Sequence, residues 1–227
     1  MTAALLLLSL VQANPAPPAP ASAILDEGVL VVRRDSVEIA REQYQLVASP
    51  RTGGWTLGAT SRYAGSTVSG LTLAPVLELG PASLPRTLQF EVTGAAEPLR
   101  LLGQASRDRF TLRYLGRGTE RAREFPARGP TVVLDDSVYS FYIVAAWFAR
   151  PSPVRLTAVF ARSARLATLT VQDRGLQSTT VHRNAAMLRD ITVSDGVATI
   201  HVWLDASGKL MKIENPALHW TAERPAT

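Results

Sequence analysis

The stretch TIHVWLDASGKLMKIENP, residues 199–216, holds one of three histidines, one of four tryptophans, an aspartate and both lysines of the chain. These are the side chains of acid–base and nucleophilic catalysis, which needs a titratable group within hydrogen-bond reach of the reacting atom. The spacing does not supply such a site. His182, His201 and His219 form no HExxH or His-x-His pattern and have no carboxylate cluster beside them, so no metal is expected. No G-x-S-x-G elbow or S-x-x-K is present, and Ser66, in YAGSTVSG at 63–70, sits among turn-forming residues. Asp135 and Asp136 are adjacent like charges, which raises a carboxyl pKa. They also precede an apolar run, where they serve as helix caps. SDG at 194–196 reverses the order an aspartic protease needs, and LGRG at 115–118 lacks the helix and lysine of a phosphate loop. With no cysteine, thiolate nucleophiles, disulfides and Cys-based metal clusters are excluded. The expectation is a non-catalytic protein without cofactor. The competing reading is a hydrolase whose groups meet only in three dimensions, with His201, His219 and Asp205 as participants.

The elements that carry these residues are strands. From Gly28 onward, apolar and polar residues alternate with period two. Leu88, Phe90 and Val92 oppose Gln89, Glu91 and Thr93, while Phe110, Leu112 and Tyr114 oppose Arg109, Thr111 and Arg113. Val154, Leu156, Ala158 and Phe160 form another such face, and Ala198, Ile200, Val202 and Leu204 share a side opposite Thr199, His201 and Trp203. Alternation gives one dry and one wet sheet face, which suits an antiparallel sheet. Glycine-bearing turns at RTGG (51–54), LGRG, SDG and ASG (206–208) divide the runs into a meander of about ten strands. In the opening stretch, Asp205 and Gly208 set the turn, Leu210 and Ile213 pack, and Lys209, Lys212 and Glu214 face water. LDDSVYSFYIVAAWFARPSP breaks the pattern: it is apolar on all sides, capped by Asp135, Asp136 and Ser137, and stopped by Pro151 and Pro153. The expectation is one buried helix over about 136–149. The fold class is mainly β (α+β), a single curved antiparallel sheet or half-barrel wrapping that helix.

The ends and the composition bound the setting. Ala3–Val11 is a nine-residue apolar run followed by small residues, the pattern of a secretory leader and too short to span a bilayer. Residues 1–23 are expected to be a signal peptide with a Pro/Ala-rich tail, and 24–227 a single domain. Periplasmic or secreted localisation follows, with no membrane span. The net charge of +5 comes from 22 Arg and two Lys scattered without a basic run, so no nucleic-acid partner is expected. Tyr139, Tyr142 and Phe148 on the buried segment, with Trp203 and Trp220 on the sheet, are the expected lining of a hollow that takes a lipid-like or other apolar ligand. The alternative is a structural or interaction module that docks an envelope partner of unknown identity without a ligand.

The late hairpin carries a resemblance. Val202, Trp203, Leu204, Asp205, Gly208 and Leu210 match a strand–turn–strand pattern of an uncharacterised exported bacterial β-rich family. That family is loosely similar to lipoprotein-carrier (LolA/LppX-like) half-barrel proteins. VVRRDSVEIAREQYQLV and LDDSVYSFYIVAAW fit the same layout, over roughly residues 28–224. The resemblance implies a curved antiparallel sheet over a helix and a pocket for an apolar ligand.

Overall fold

The computed structural model describes residues 23–49, 53–64, 70–94 and 98–225. The leader-like residues 1–22, Ser66 and the first two residues of the RTGG turn lie outside them. A first meander comprises β1 (Ile24–Arg34), β2 (Val37–Ser49), β3 (Gly54–Tyr63), β4 (Thr72–Leu79), β5 (Pro85–Thr93), β6 (Leu99–Ser106), β7 (Arg109–Gly116) and β8 (Thr119–Pro126). β9 (Thr131–Leu134) leads into a 3-10 turn (Tyr139–Phe141) and the short helix α1 (Tyr142–Ala146). A second meander comprises β10 (Val154–Phe160), β11 (Arg165–Val181), β12 (Asn184–Ser194), β13 (Thr199–Leu204), β14 (Leu210–Asn215) and β15 (Trp220–Glu223).

These form one 15-stranded sheet in the order β8-β7-β6-β5-β4-β3-β2-β1-β15-β14-β13-β12-β11-β10-β9. Pairing of β1 with β15 joins the two meanders, and β9 pairs parallel to β10 where the other neighbours are antiparallel. The β9 edge then rolls onto the concave face of the first meander. Tyr114 donates to the Ala161 carbonyl at 2.9 Å, and β9 touches β5. The sheet is therefore open by hydrogen bonding but rolled around its own contents.

The alternation read from the sequence matches the burial. Leu88, Phe90, Phe110, Leu112, Val202 and Leu204 are all core, while Gln89, Glu91 and Arg113 face water. The count of about ten strands is too low. Two-residue connections hide the breaks: Asp35-Ser36 between β1 and β2, and His182-Arg183 between β11 and β12, with φ of 47°, 69°, 51° and 66°. Positive φ at both central residues is the type I′ hairpin, whose usual signature is Asn-Gly. Here side-chain-bearing residues occupy it and no glycine marks the turn.

The buried helix is also shorter than 136–149. Val138 is extended (φ −121°, ψ 99°), and helical geometry starts only at Tyr139. Asp135 is held by Arg162 and accepts the Ser137 N–H at 2.9 Å, and Asp136 pairs with Arg165. Both aspartates therefore fix the turn before the helix instead of capping its first turn. A second correction concerns Lys212, which is 7 % exposed instead of solvated: its ammonium bonds Glu214 and the Thr180 carbonyl.

Candidate functional site

Period-two phasing places Ala40, Glu42, Tyr44 and Leu46 on one side of β2, toward the core. Glu42 is thus a carboxylate on an apolar face, fully buried. Its oxygens accept the backbone N–H groups of Tyr139 and Ser140 at 2.8 and 2.7 Å and the Ser61 hydroxyl at 2.8 Å. Glu42 is the true cap of the helical segment, supplied from another strand. Burial pushes its pKa upward, opposed by these donors. Tyr63 donates to the Ser137 carbonyl at 2.8 Å, so β2 and β3 together hold the start of the plug. α1 packs on β9, β11, β12 and β13, with Phe141, Ile143 and Val144 fully buried. Each such side chain stabilises by about 1.5–3 kcal/mol.

The plug does not fill the roll. Beside it lies a cavity of about 660 Å³, walled by Tyr139, Tyr142, Leu169, Val193, Ile200 and Trp220. That volume is in the range of small-molecule sites, about 300–1,000 Å³. Tyr139 and Trp220 meet with ring centres 4.7 Å apart, a tilted pair that forms one wall. Arg34, Asp136, Arg165 and Asp195 stand at the mouth. Burial raises the hydroxyl pKa of Tyr139 and of Tyr142, so both rings present neutral phenols to the cavity.

Of the five residues expected to line a hollow, Tyr139, Tyr142 and Trp220 come together here. Phe148 packs half-buried against the main core beyond the helix, away from the cavity lining. Trp203 lies on the opposite, convex face, because it is out of phase with Val202 and Leu204. There it packs with Val181 and Leu188, donates its indole N–H to Glu214 at 2.9 Å, and stacks on His201 at 5.8 Å. The roll contributes wall residues that sequence reasoning did not single out, Leu169, Val193 and Ile200. Their signal was only their phase on the strand, which every core residue shares.

The residues of the enzyme reading do not converge. His201 bonds Asp190 at 2.9 Å, and that hydrogen bond raises its pKa above the usual value. Oδ1 of Asp205 accepts from the Ser207 N–H and hydroxyl and from the Lys209 N–H, all within its own turn. His219 sits at a left-handed position (φ 51°) after a 3-10 turn. No hydrogen bond links the three among the described residues, and no group of three or more metal-binding side chains occurs among them.

His219 instead borders a cleft of about 1050 Å³ on the convex face, with His182, Arg183, Asp35 and Ser36. Two of its three carboxylates are already engaged: Glu223 with Arg33 at 2.9 Å, and Glu214 with Lys212 at 2.6 Å. The cleft is the broader and more open of the two, while the hollow combines aromatic and aliphatic walls with polar and charged side chains, a mixture that suits an amphiphile.

A rolled β-sheet around an internal plug defines a barrel-like, β-rich class. No family model and no curated protein matches the chain. Among solved structures, it is similar to the crystal structure of a beta-barrel-like protein, a domain of unknown function (DUF1849), from Brucella abortus. The TM-score is 0.51 at 11% identity, over 89% of this chain and 93% of that one. At that identity the likeness shows the fold alone.

Proposed function

We propose that the protein is an exported, non-catalytic binding protein that takes an apolar or amphiphilic ligand into the hollow between sheet and plug. The observation that carries this is the cavity of about 660 Å³, walled by apolar and aromatic side chains beside a helix anchored on Glu42. The aromatic and aliphatic part of the wall gives a ligand chain dispersion contacts. The leader-like residues 1–23 support export to the periplasm or beyond. The resemblance to lipoprotein-carrier half-barrels supports the same use of the hollow.

Native mass spectrometry of the protein, purified without detergent from its own host, tests this. The expected result is a mass adduct that organic solvent releases as an amphiphile. A bare chain that also fails to take up added dodecan-1-ol contradicts the proposal.

A further inference from the structure

Four charged side chains surround the mouth of the hollow, two of each sign, and one of them stands without a partner among the described residues. Arg165 is paired with Asp136 at 3.2 Å, and its guanidinium lies 3.6 Å from the centre of the Phe160 ring. Asp195 accepts the N–H groups of Val197 and Ala198 at 3.1 and 3.0 Å within its own turn. Arg34 has no ion pair or side-chain hydrogen bond among the described residues. Its position is not that of an ordinary surface arginine. On β1 it continues the inward phase of Leu30 and Val32, and across the β1–β15 pair it is directly opposite Trp220. Directly opposed residues share a sheet face. Arg34 therefore stands on the concave face, at the rim, beside the Tyr139–Trp220 wall.

We propose that Arg34 reads the headgroup of the ligand, and that the ligand is a single-chain amphiphile carrying one negative charge. This rests on the ligand-binding reading of the hollow. The hollow receives the chain, and the headgroup comes to rest beside Arg34, the mouth cation that no carboxylate holds among the described residues. A neutral headgroup forms no ion pair with that cation. A second negative charge has no cation left to meet and faces Asp136 and Asp195 instead.

Calorimetric titration of the full chain at mildly alkaline pH compares dodecanoate, dodecan-1-ol and dodecyl phosphate, which share one chain and differ in headgroup charge. Dodecanoate is expected to bind about fivefold tighter than the alcohol, the scale of one partly solvated ion pair, and tighter than the doubly charged phosphate. Arg34→Gln is expected to erase the preference for dodecanoate and leave the affinity for the alcohol unchanged; Arg34→Lys keeps most of the preference. Equal affinities for dodecanoate and the alcohol in the unmodified protein overturn the proposal, as does a preference that survives in Arg34→Gln. Phosphate binding as tight as dodecanoate overturns the single-charge assignment. If none of the three binds, the ligand reading of the hollow falls with it.

Discussion

Glu42 shows how one residue joins the sheet to its plug, and its phase on the strand is legible in the sequence. In VEIAREQYQLV it falls in the phase of Ala40, Tyr44 and Leu46, a charged residue on an apolar face. A buried carboxylate requires donors. Which donors they are was not legible, because Tyr139 and Ser140 lie 97 and 98 residues away. Glu42→Ala leaves two backbone N–H groups and a hydroxyl buried without an acceptor, a loss of about 3 kcal/mol in chemical denaturation. The pH dependence has a defined sign. Burial raises the folded-state pKa above the ordinary 4.5, so in that window the folded chain holds more protons than the unfolded one. Stability then falls as pH rises from 4.5 through the folded-state value. Glu42→Gln, which cannot titrate, is expected to lack this decline relative to the unmodified protein when unfolding curves are measured across that range.

At the scale of elements, the long β11–β12 hairpin explains why Trp203, turned away from the hollow by its phase, is nevertheless buried. A register shift between Asp173 and Leu176, with Gly175 at φ 74°, bends the hairpin where it outruns β13. Its tip comes down on the convex face through Val181 and Leu188 against Trp203. Lys212 is buried by the same contact, since its ammonium reaches the Thr180 carbonyl at 3.1 Å. Nothing in the local pattern announces this second layer: Trp203 shares the phase of Thr199 and His201, opposite the core residues, and the hairpin tip covers it there instead of a hollow. Trp203→Ala is expected to cost about 3 kcal/mol and to expose the hairpin tip to trypsin at Arg183, while dodecan-1-ol binding in the hollow is unchanged. The edges of the sheet follow a different logic. β8 lies at one margin with Glu120, Arg121, Arg123 and Glu124 exposed. Charges on an edge strand oppose pairing with another chain, which weighs against the interaction-module reading.

At the scale of the whole molecule, the two meanders are closed where the first and last strands meet. Asp26 accepts from the Tyr44 hydroxyl at 2.8 Å and the Leu210 N–H at 2.9 Å, and is paired with Arg224. Residues at opposite ends of the domain thus fix the curvature that leaves a hollow beside the plug. Period-two alternation made the sheet and its dry face readable. The number of strands was not, because type I′ turns such as His182-Arg183 carry no glycine. Nor was the cavity, since its existence depends on how far the β9 edge rolls inward. The central claim is that the ligand chain occupies this hollow and not the broader convex cleft. Photo-cross-linking of the full chain with a diazirine-bearing dodecyl alcohol, mapped by peptide mass spectrometry, tests it most directly. Saturable labelling confined to segments bearing Tyr139, Leu169 and Ile200 is expected; labelling centred on His182 and Arg183, or none that saturates, would contradict the claim.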